Sequence, residues 1–518
     1  MDSGMVIKVA FVVVFFAATI YIGFRTRKTA LNVDGFVLGG RKVGPWLSAF
    51  AYGVTYFSAV VFIGYAGQFG WKYGMAALWI GLGNAFLGSL LAWYVLGART
   101  RAMTHHLNTK TMPEFFGSRF NSKPLRIAAA ALVFVFLIPY TASVYNGLSR
   151  LFFMAFGLPY EYAIIGMAVL TCIYVVLGGY MATAVNDLVQ GVIMIVGIIA
   201  IIASVLAGHG GFSEAVVTLS QVTNDTGLME GMKGTFTSMF GPNLPDLLGV
   251  LILTSLGVWG LPQMVTKFYA MKNTAPIRLG AIVSTLFALL IAGGSYFLGG
   301  FGRLIADNPT LYNDNGAVVY DRIVPALLAD MPDLLIGLTV VLVVAASIST
   351  LAALVMTSSS TLTLDLIKGN IVKKMTDKSQ LIAIRSLIVV FVIIAATIAL
   401  VQYNSSVIFI AQMMSISWGA LAGSFLAPFV YGLYWKRTTT ASVWACFIFA
   451  VGLVCSNLVF GFIASPINAG AIAMVGGLVI VPLVSLITPK PNKEKTDLLF
   501  EESYKDLHKR REEIEKEA

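Results

Sequence analysis

The chain has 518 residues, of which 58% are hydrophobic and only 12% charged, and its mean hydropathy is +0.83. Soluble domains carry about 25% charged residues, and no single water-exposed fold hides this much apolar surface, so the composition excludes a soluble globular protein and points to a polytopic membrane protein. The net charge of +10 is therefore read by location along the chain rather than as a nucleic-acid footprint.

In chain order, Met5 to Phe24 is a first apolar run of spanning length. Arg25, Arg27 and Lys28 follow it, with no small-residue cleavage pattern, which reads as a retained helix ending in the cytoplasm. Further spans are expected at 46–69, 74–97, 125–156, 159–182, 185–208, 244–270, 276–304, 334–364, 381–402, 405–435, 439–461 and 469–488, about thirteen in all. With the N-terminus outside, this count places all but six of the 35 Lys and Arg residues on the cytoplasmic side. The six exceptions are Lys8, Lys72, Arg150, Lys233, Arg303 and Arg322. An error of one helix would reverse the later basic loops, so the partition supports both count and orientation. The expected domains are a transmembrane unit over 1–488 and a charged cytoplasmic tail over 489–518, whose run KRREEIEKE suits a solvated helix near the headgroups. The outside segments 209–243 and 305–333 hold short hydrophobic stretches that suit small helices over the membrane mouth.

Two spans are interrupted. In GGRKVGPWLSAFAYGVTYFSAVVFIG, residues 39–64, Gly53 and the hydroxyls of Thr55, Tyr56 and Ser58 fall at membrane depth. In LTSLGVWGLPQMVTKFYA, residues 253–270, Gly257, Gly260 and Pro262 predict a break, because proline removes a helix hydrogen bond and clashes with the preceding turn. These are the second and seventh spans. Interrupted helices at matching positions of two five-helix halves, approximately 46–208 and 244–435, point to an inverted-repeat transporter. Chance placement of Gly and Pro, both common in membrane helices, is the competing explanation. Polar chemistry also enters AASISTLAALVMTSSSTLTLD, where Ala346 shares a helix face with Ser349 and Thr350. Most such hydroxyls bond their own preceding turn. In LGGYMATAVNDLVQG, Asp187 and Gln190 stand at the start of a span, where a carboxylate suits the helix dipole but is also a functional candidate by its cost in lipid. Cys172, Cys446 and Cys455 lie in apolar runs without CxxC spacing, and the four histidines form no metal-ligand pattern.

These blocks, GGRKVGP with TYFSAVVFIG, LGGYMATAVNDLVQG and AASISTLAALVMTSSSTLTLDLIK, resemble the sodium:solute symporter family over roughly residues 5–490. The resemblance implies an all-α, leucine-transporter-type core of five plus five helices, with one helix before it and two after. It implies a sodium site formed by the carbonyls of Val54, Phe57 and Ala346 and the hydroxyls of Ser349 and Thr350. Asp187 matches a family aspartate that supports sodium coupling, a long-range or second-site role. The proline-transporting branch has an aspartate where this chain has Tyr56, and Trp and Tyr where it has Thr254 and Val258. TYFS, VNDLVQG and GLPQ look more like the pantothenate and monocarboxylate branch. Thr55, Tyr56, Ser58, Trp259 and Gln263, with Tyr140 and Gln412, are the expected solute contacts, each of which would serve equally as packing.

The reading is thus a symporter in the lipid bilayer of the cell's inner membrane that couples Na+ entry to uptake of a small organic solute bearing a carboxylate. The half-helix N-termini at the breaks would face that carboxylate. A proton-coupled carrier of the same fold is the nearest rival, and a transporter-like sensor a further one. No cluster of catalytic residues, P-loop or nucleophile elbow supports an enzyme, and no nucleic-acid partner is expected.

Overall fold

The computed structural model describes residues 3–225, 229–274, 276–405 and 409–517, and among them the fold is helical, with only isolated bridge pairs and no strand. Eleven of its continuous helices are long and apolar enough to cross a membrane. One of them, Tyr160–Gly208, has 49 residues. At 1.5 Å per residue it would be about 74 Å long, more than twice the hydrocarbon thickness of a bilayer. It is divided at Gly179, whose φ of 58° and ψ of −160° lie outside helical space. That conformation favours glycine because it carries no Cβ. Gly74, with φ 59° and ψ −135°, similarly separates residues 60–73 from the helical run that ends at His106. Residues 60–73 join Pro45–Tyr56 as the two halves of one broken span. With these divisions the passes number thirteen.

The turn expected at 182–186 lies instead at Gly178 and Gly179, and helix already resumes at Tyr180. Asp187 consequently sits about two turns inside its helix, and it is fully buried. The helix dipole does not explain it there, because that effect fades beyond the first turn.

The first broken helix packs on Pro276–Gly299, on Tyr160–Gly208 and on the hydroxyl-rich helix Asp333–Thr361. Both broken helices are joined at one end. Val43, just ahead of Pro45, donates its N–H to the Ala270 carbonyl at 3.3 Å and accepts from the Lys272 N–H at 3.2 Å. Arg101, near the end of the helical run from Gly74, donates to the carbonyls of Met271 and Lys272 at 2.5 and 2.8 Å.

Between the spans, 209–243 contains Phe212–Gln221, and 305–333 contains Pro309–Leu311, Tyr320–Arg322 and Ile323–Leu328. The short hydrophobic stretches do form small helices. The tail forms Lys493–Glu517. It is less solvated than its charge suggests, since Phe500 and Tyr504 are buried. Arg119 stands over Phe500, Arg99 over Tyr504, and the Tyr504 hydroxyl donates to the Leu433 carbonyl at 2.7 Å. The run KRREEIEKE lies outside the described side chains.

Candidate functional site

The first break is not at Gly53, which is helical and packed against Phe287. Helix Pro45–Tyr56 ends at Phe57, which is extended at φ −115° and ψ 133°, and helical geometry resumes at Ala59. No proline or left-handed glycine enforces this. Side-chain oxygens replace the missing ladder partners. Ser347 accepts the Ala59 N–H at 3.0 Å and Ser58 accepts the Val60 N–H at 3.2 Å. On the carbonyl side, the Thr350 hydroxyl lies 3.1 Å from Thr55 O, 3.5 Å from Phe57 O and 3.2 Å from Ala346 O. The Ser349 hydroxyl lies 3.1 Å from that of Thr55.

Phe57, Ala346, Ser349 and Thr350 are thus brought together, and Thr55 joins them. Val54 is adjacent, with its carbonyl accepting the Phe57 N–H at 3.3 Å; a carbonyl keeps a second lone pair beyond one such bond. All six residues are buried. The cluster offers neutral oxygens only, which suits a hard monovalent cation that must bind and then leave.

The second break differs. Leu244–Leu256 passes into a tight turn over Gly257–Trp259, Leu261 is extended, and Pro262 opens helix Pro262–Tyr269. Proline suits a first helical position because its fixed φ is already helical and its missing N–H has no helical partner to lose.

The expected solute contacts divide into groups. Tyr56 stacks on Phe57, with ring centroids 4.4 Å apart, and on Trp418 at 6.4 Å, while its hydroxyl donates to Thr254 O at 2.5 Å. Tyr140 meets the same Trp418 edge-on at 5.9 Å. Ser58 neighbours Tyr140. These residues surround one buried aromatic cluster touching both breaks, because the Trp418 ring also packs against Gly257, where a Cβ would stand 2.8 Å from it. Thr55 belongs to the hydroxyl cluster instead. Trp259 donates its indole N–H to Leu87 O at 3.0 Å. Gln263 lines a separate cavity with Lys267, Tyr180, Thr357 and Ser360, and its Oε1 has no hydrogen-bond partner among the described residues. Gln412 is bound to its own helix start, accepting the Phe409 N–H at 3.3 Å. The first N–H groups after the first break are occupied by Ser347 and Ser58, so that half-helix start does not present them to a carboxylate.

Three residues in these places were not singled out by sequence. Trp418 is a tryptophan deep in an apolar helix beside glycine, a faint signal. Ser347 lies beside the recognised pair and reads as an ordinary back-bonded serine. Lys267 counts in sequence as a cytoplasmic loop cation, but it is buried and its Nζ lies 3.7 Å from Asp187 Oδ2. Its place within the expected span 244–270 is the signal that an ionisable residue at membrane depth provides.

A model of the sodium:solute symporter family matches residues 36–449, and the chain belongs to that family. It is a sodium-coupled secondary transporter, an integral multi-pass membrane protein and not an enzyme. Among its relatives, the sodium/proline symporter of Salmonella typhimurium is 28% identical over 434 residues, 82% of each chain. The sodium/pantothenate symporter of Escherichia coli is 27% identical over 431 residues, 83% of this chain and 85% of the relative. A sodium-coupled sialic acid symporter, solved in a substrate-bound outward-open state, superposes with a TM-score of 0.75 at 19% identity, over 94% of this chain and 99% of the other. A nucleobase-cation symporter in a closed conformation gives 0.52 at 13% identity, over 90% of this chain and 98% of the other. These likenesses show the leucine-transporter-type, inverted-repeat fold.

Proposed function

We propose that sodium binds at the first break between the carbonyls of Val54, Phe57 and Ala346 and the hydroxyls of Ser349 and Thr350, and that a small carboxylate-bearing solute binds beside Trp418. The observation carrying this reading is the placement of Thr350 within hydrogen-bonding reach of three carbonyls, two of them at the break. A sodium ion entering there replaces hydroxyl-to-carbonyl contacts with ion-to-oxygen contacts and holds the broken helix against helix Asp333–Thr361. The solute then closes on Tyr56, Ser58, Tyr140 and Trp418, which together span both breaks. Thr55 takes the sodium side with Ser349, Trp259 and Gln412 are held by Leu87 and by the Phe409 N–H, and Gln263 faces a separate cavity beside Lys267. Tyr56, where the proline branch has an aspartate, favours a monocarboxylate or pantothenate-like solute over proline.

Alternating access follows from rocking the two broken helices and the helices after each of them against the remainder. The repeats extend over approximately 46–208 and 244–435. The N-terminus lies outside and the tail from 489 on the cytoplasmic face of the cell membrane. The test is uptake of labelled pantothenate, proline and a short monocarboxylate into proteoliposomes. Uptake of at least one should require an inward sodium gradient. It should be lost in the Ser349→Ala, Thr350→Ala double variant. Gradient-independent uptake, or uptake that survives both substitutions, would sink the reading.

A further inference from the structure

A short segment joins helices Ala98–His106 and Met112–Arg119, and Lys110, Thr111 and Met112 at its end wall the cavity that also holds Gln263, Lys267 and Ser360. Polar contacts fix this segment in place. Arg41 donates to the Thr109 carbonyl at 2.7 Å, Thr111 donates to Asp365 Oδ2 at 2.6 Å, and Lys110 Nζ lies 2.9 Å from Asp34 Oδ1. In the orientation proposed above, the segment closes the cavity toward the cytoplasm. The tail helix Lys493–Glu517 grips the helices on both sides of it. Before it, the Arg99 guanidinium stands over the rings of Tyr434 and Tyr504, 4.1 and 4.8 Å from their centroids, and His106 Nε2 lies 3.4 Å from Glu502 Oε2. After it, the Arg119 guanidinium stands 5.0 Å from the Phe500 ring, and its Nε donates to the Gly432 carbonyl at 2.9 Å. A third attachment reaches the end of helix Ile410–Tyr434. There the Tyr504 hydroxyl donates to the Leu433 carbonyl at 2.7 Å, and Lys436 pairs with Asp497 at 2.7 Å.

In the rocking motion proposed above, Ala98–His106 moves with the first broken helix and Ile410–Tyr434 stays with the remainder. The tail helix is therefore attached across the line along which the two units part. Its strong part is aromatic. Phe500 and Tyr504 stand one turn apart, edge-on at 5.7 Å between centroids, and are only 5% and 3% exposed; the partly exposed ion pairs at the rim add little. We propose that the tail helix is a strap that holds the cytoplasmic floor of the carrier shut, with Phe500 and Tyr504 as its latch. The latch lifts from Arg119 and Arg99 before the cavity at Ser360 opens to the cytoplasm. This rests on the alternating-access reading above and adds what restrains its inward-opening half. Phe500 and Tyr504 act through the segment between the two gripped helices, so they are positioning residues. Removing contacts made only in the closed form shifts the population toward the open one.

The experiment is labelling of Ser360→Cys by a membrane-impermeant maleimide added to inside-out membrane vesicles, in the full-length chain carrying Cys172→Ala and Cys455→Ala. With the native tail, labelling should be slow, since Ser360 is buried. Phe500→Ala with Tyr504→Ala should raise the rate about tenfold. Tyr504→Phe keeps both rings beside the arginines and should stay within about twofold of the native tail. In the parent chain without Ser360→Cys, the buried native Cys446 should gain no label from the Ala pair. An unchanged rate at position 360 in the Ala pair, an equal rise in Tyr504→Phe, or an equal gain at Cys446 overturns the strap. If the Ala pair does not accumulate in the membrane, Tyr504→Ala alone decides, with a rise of about threefold expected and no rise overturning the proposal. Labelling needs neither sodium nor solute, so a failed strap leaves the symport reading to gradient-driven uptake, and failed uptake leaves the labelling result standing.

Discussion

The two broken helices are interrupted by different means. The second carries its break in its own sequence: Gly257 and Gly260 loosen the turn and Pro262 forbids continuation, whatever packs around it. The first has no such residue at Phe57. The backbone groups it frees meet hydroxyls of one neighbouring helix, the Ala59 N–H at Ser347 and the Thr55 and Phe57 carbonyls at Thr350, while its own Ser58 takes the Val60 N–H. A break written into its own chain is a fixed fixture. A break that depends on a neighbour responds to whatever changes that neighbour's grip, and the sodium proposed at Thr350 would do so directly. On that proposal the asymmetry gives sensing to the first helix and shape to the second.

The largest effect expected is in the Ser349→Ala, Thr350→Ala variant. Removing two oxygen ligands at about 1–1.5 kcal/mol each raises the sodium concentration for half-saturation by about 100-fold in 22Na+ binding. An unchanged half-saturation would remove the hydroxyl helix from the sodium site. Next is Ser347→Ala, which leaves the Ala59 N–H without its acceptor in a buried place, a cost of about 1–2 kcal/mol. Sodium affinity should fall about tenfold and the detergent melting temperature should drop. A melting loss with normal sodium affinity would mean that the break does not need Ser347 to bind its ion. Tyr56→Phe severs the bond to Thr254 that links the two helices. It should cost about 1 kcal/mol, about fivefold in apparent solute affinity, with sodium binding little altered. The smallest effect belongs to Pro262→Ala. Glycine and extended geometry persist around it, so stability should change by less than about 1 kcal/mol and sodium affinity not at all. If this variant instead weakened sodium as much as Ser347→Ala does, the division of labour between the two breaks would fail.

The class of fold was legible in the sequence because hydropathy and charge asymmetry act over whole spans, and one misplaced residue does not erase them. The hydroxyl cluster was legible only through the resemblance of its motifs, since back-bonded serines and cation-binding serines look alike in a single chain. What sequence hid is tertiary. Gly53 looked like the point of rupture and is ordinary helix; the break comes at Phe57, and one of the N–H groups it frees is taken by Ser347, nearly 300 residues away in the chain. Thr55 looked like part of the solute face, but the rotation of helix Pro45–Tyr56 turns it to Ser349. Lys267 read as loop charge because a basic residue near the end of a span suits the cytoplasmic edge, and only the packing of Pro262–Tyr269 against Asp187 draws it inside.

The pairing of Val43 with Ala270 and Lys272 has a mechanical meaning. Two hinges whose far ends are pinned to one another have a single degree of freedom between them. While the two bonds hold, a swing of either end carries the other, so under the proposed cycle ion and solute would share one stroke. Breaking the splice would then loosen the proposed coupling without touching a proposed ligand.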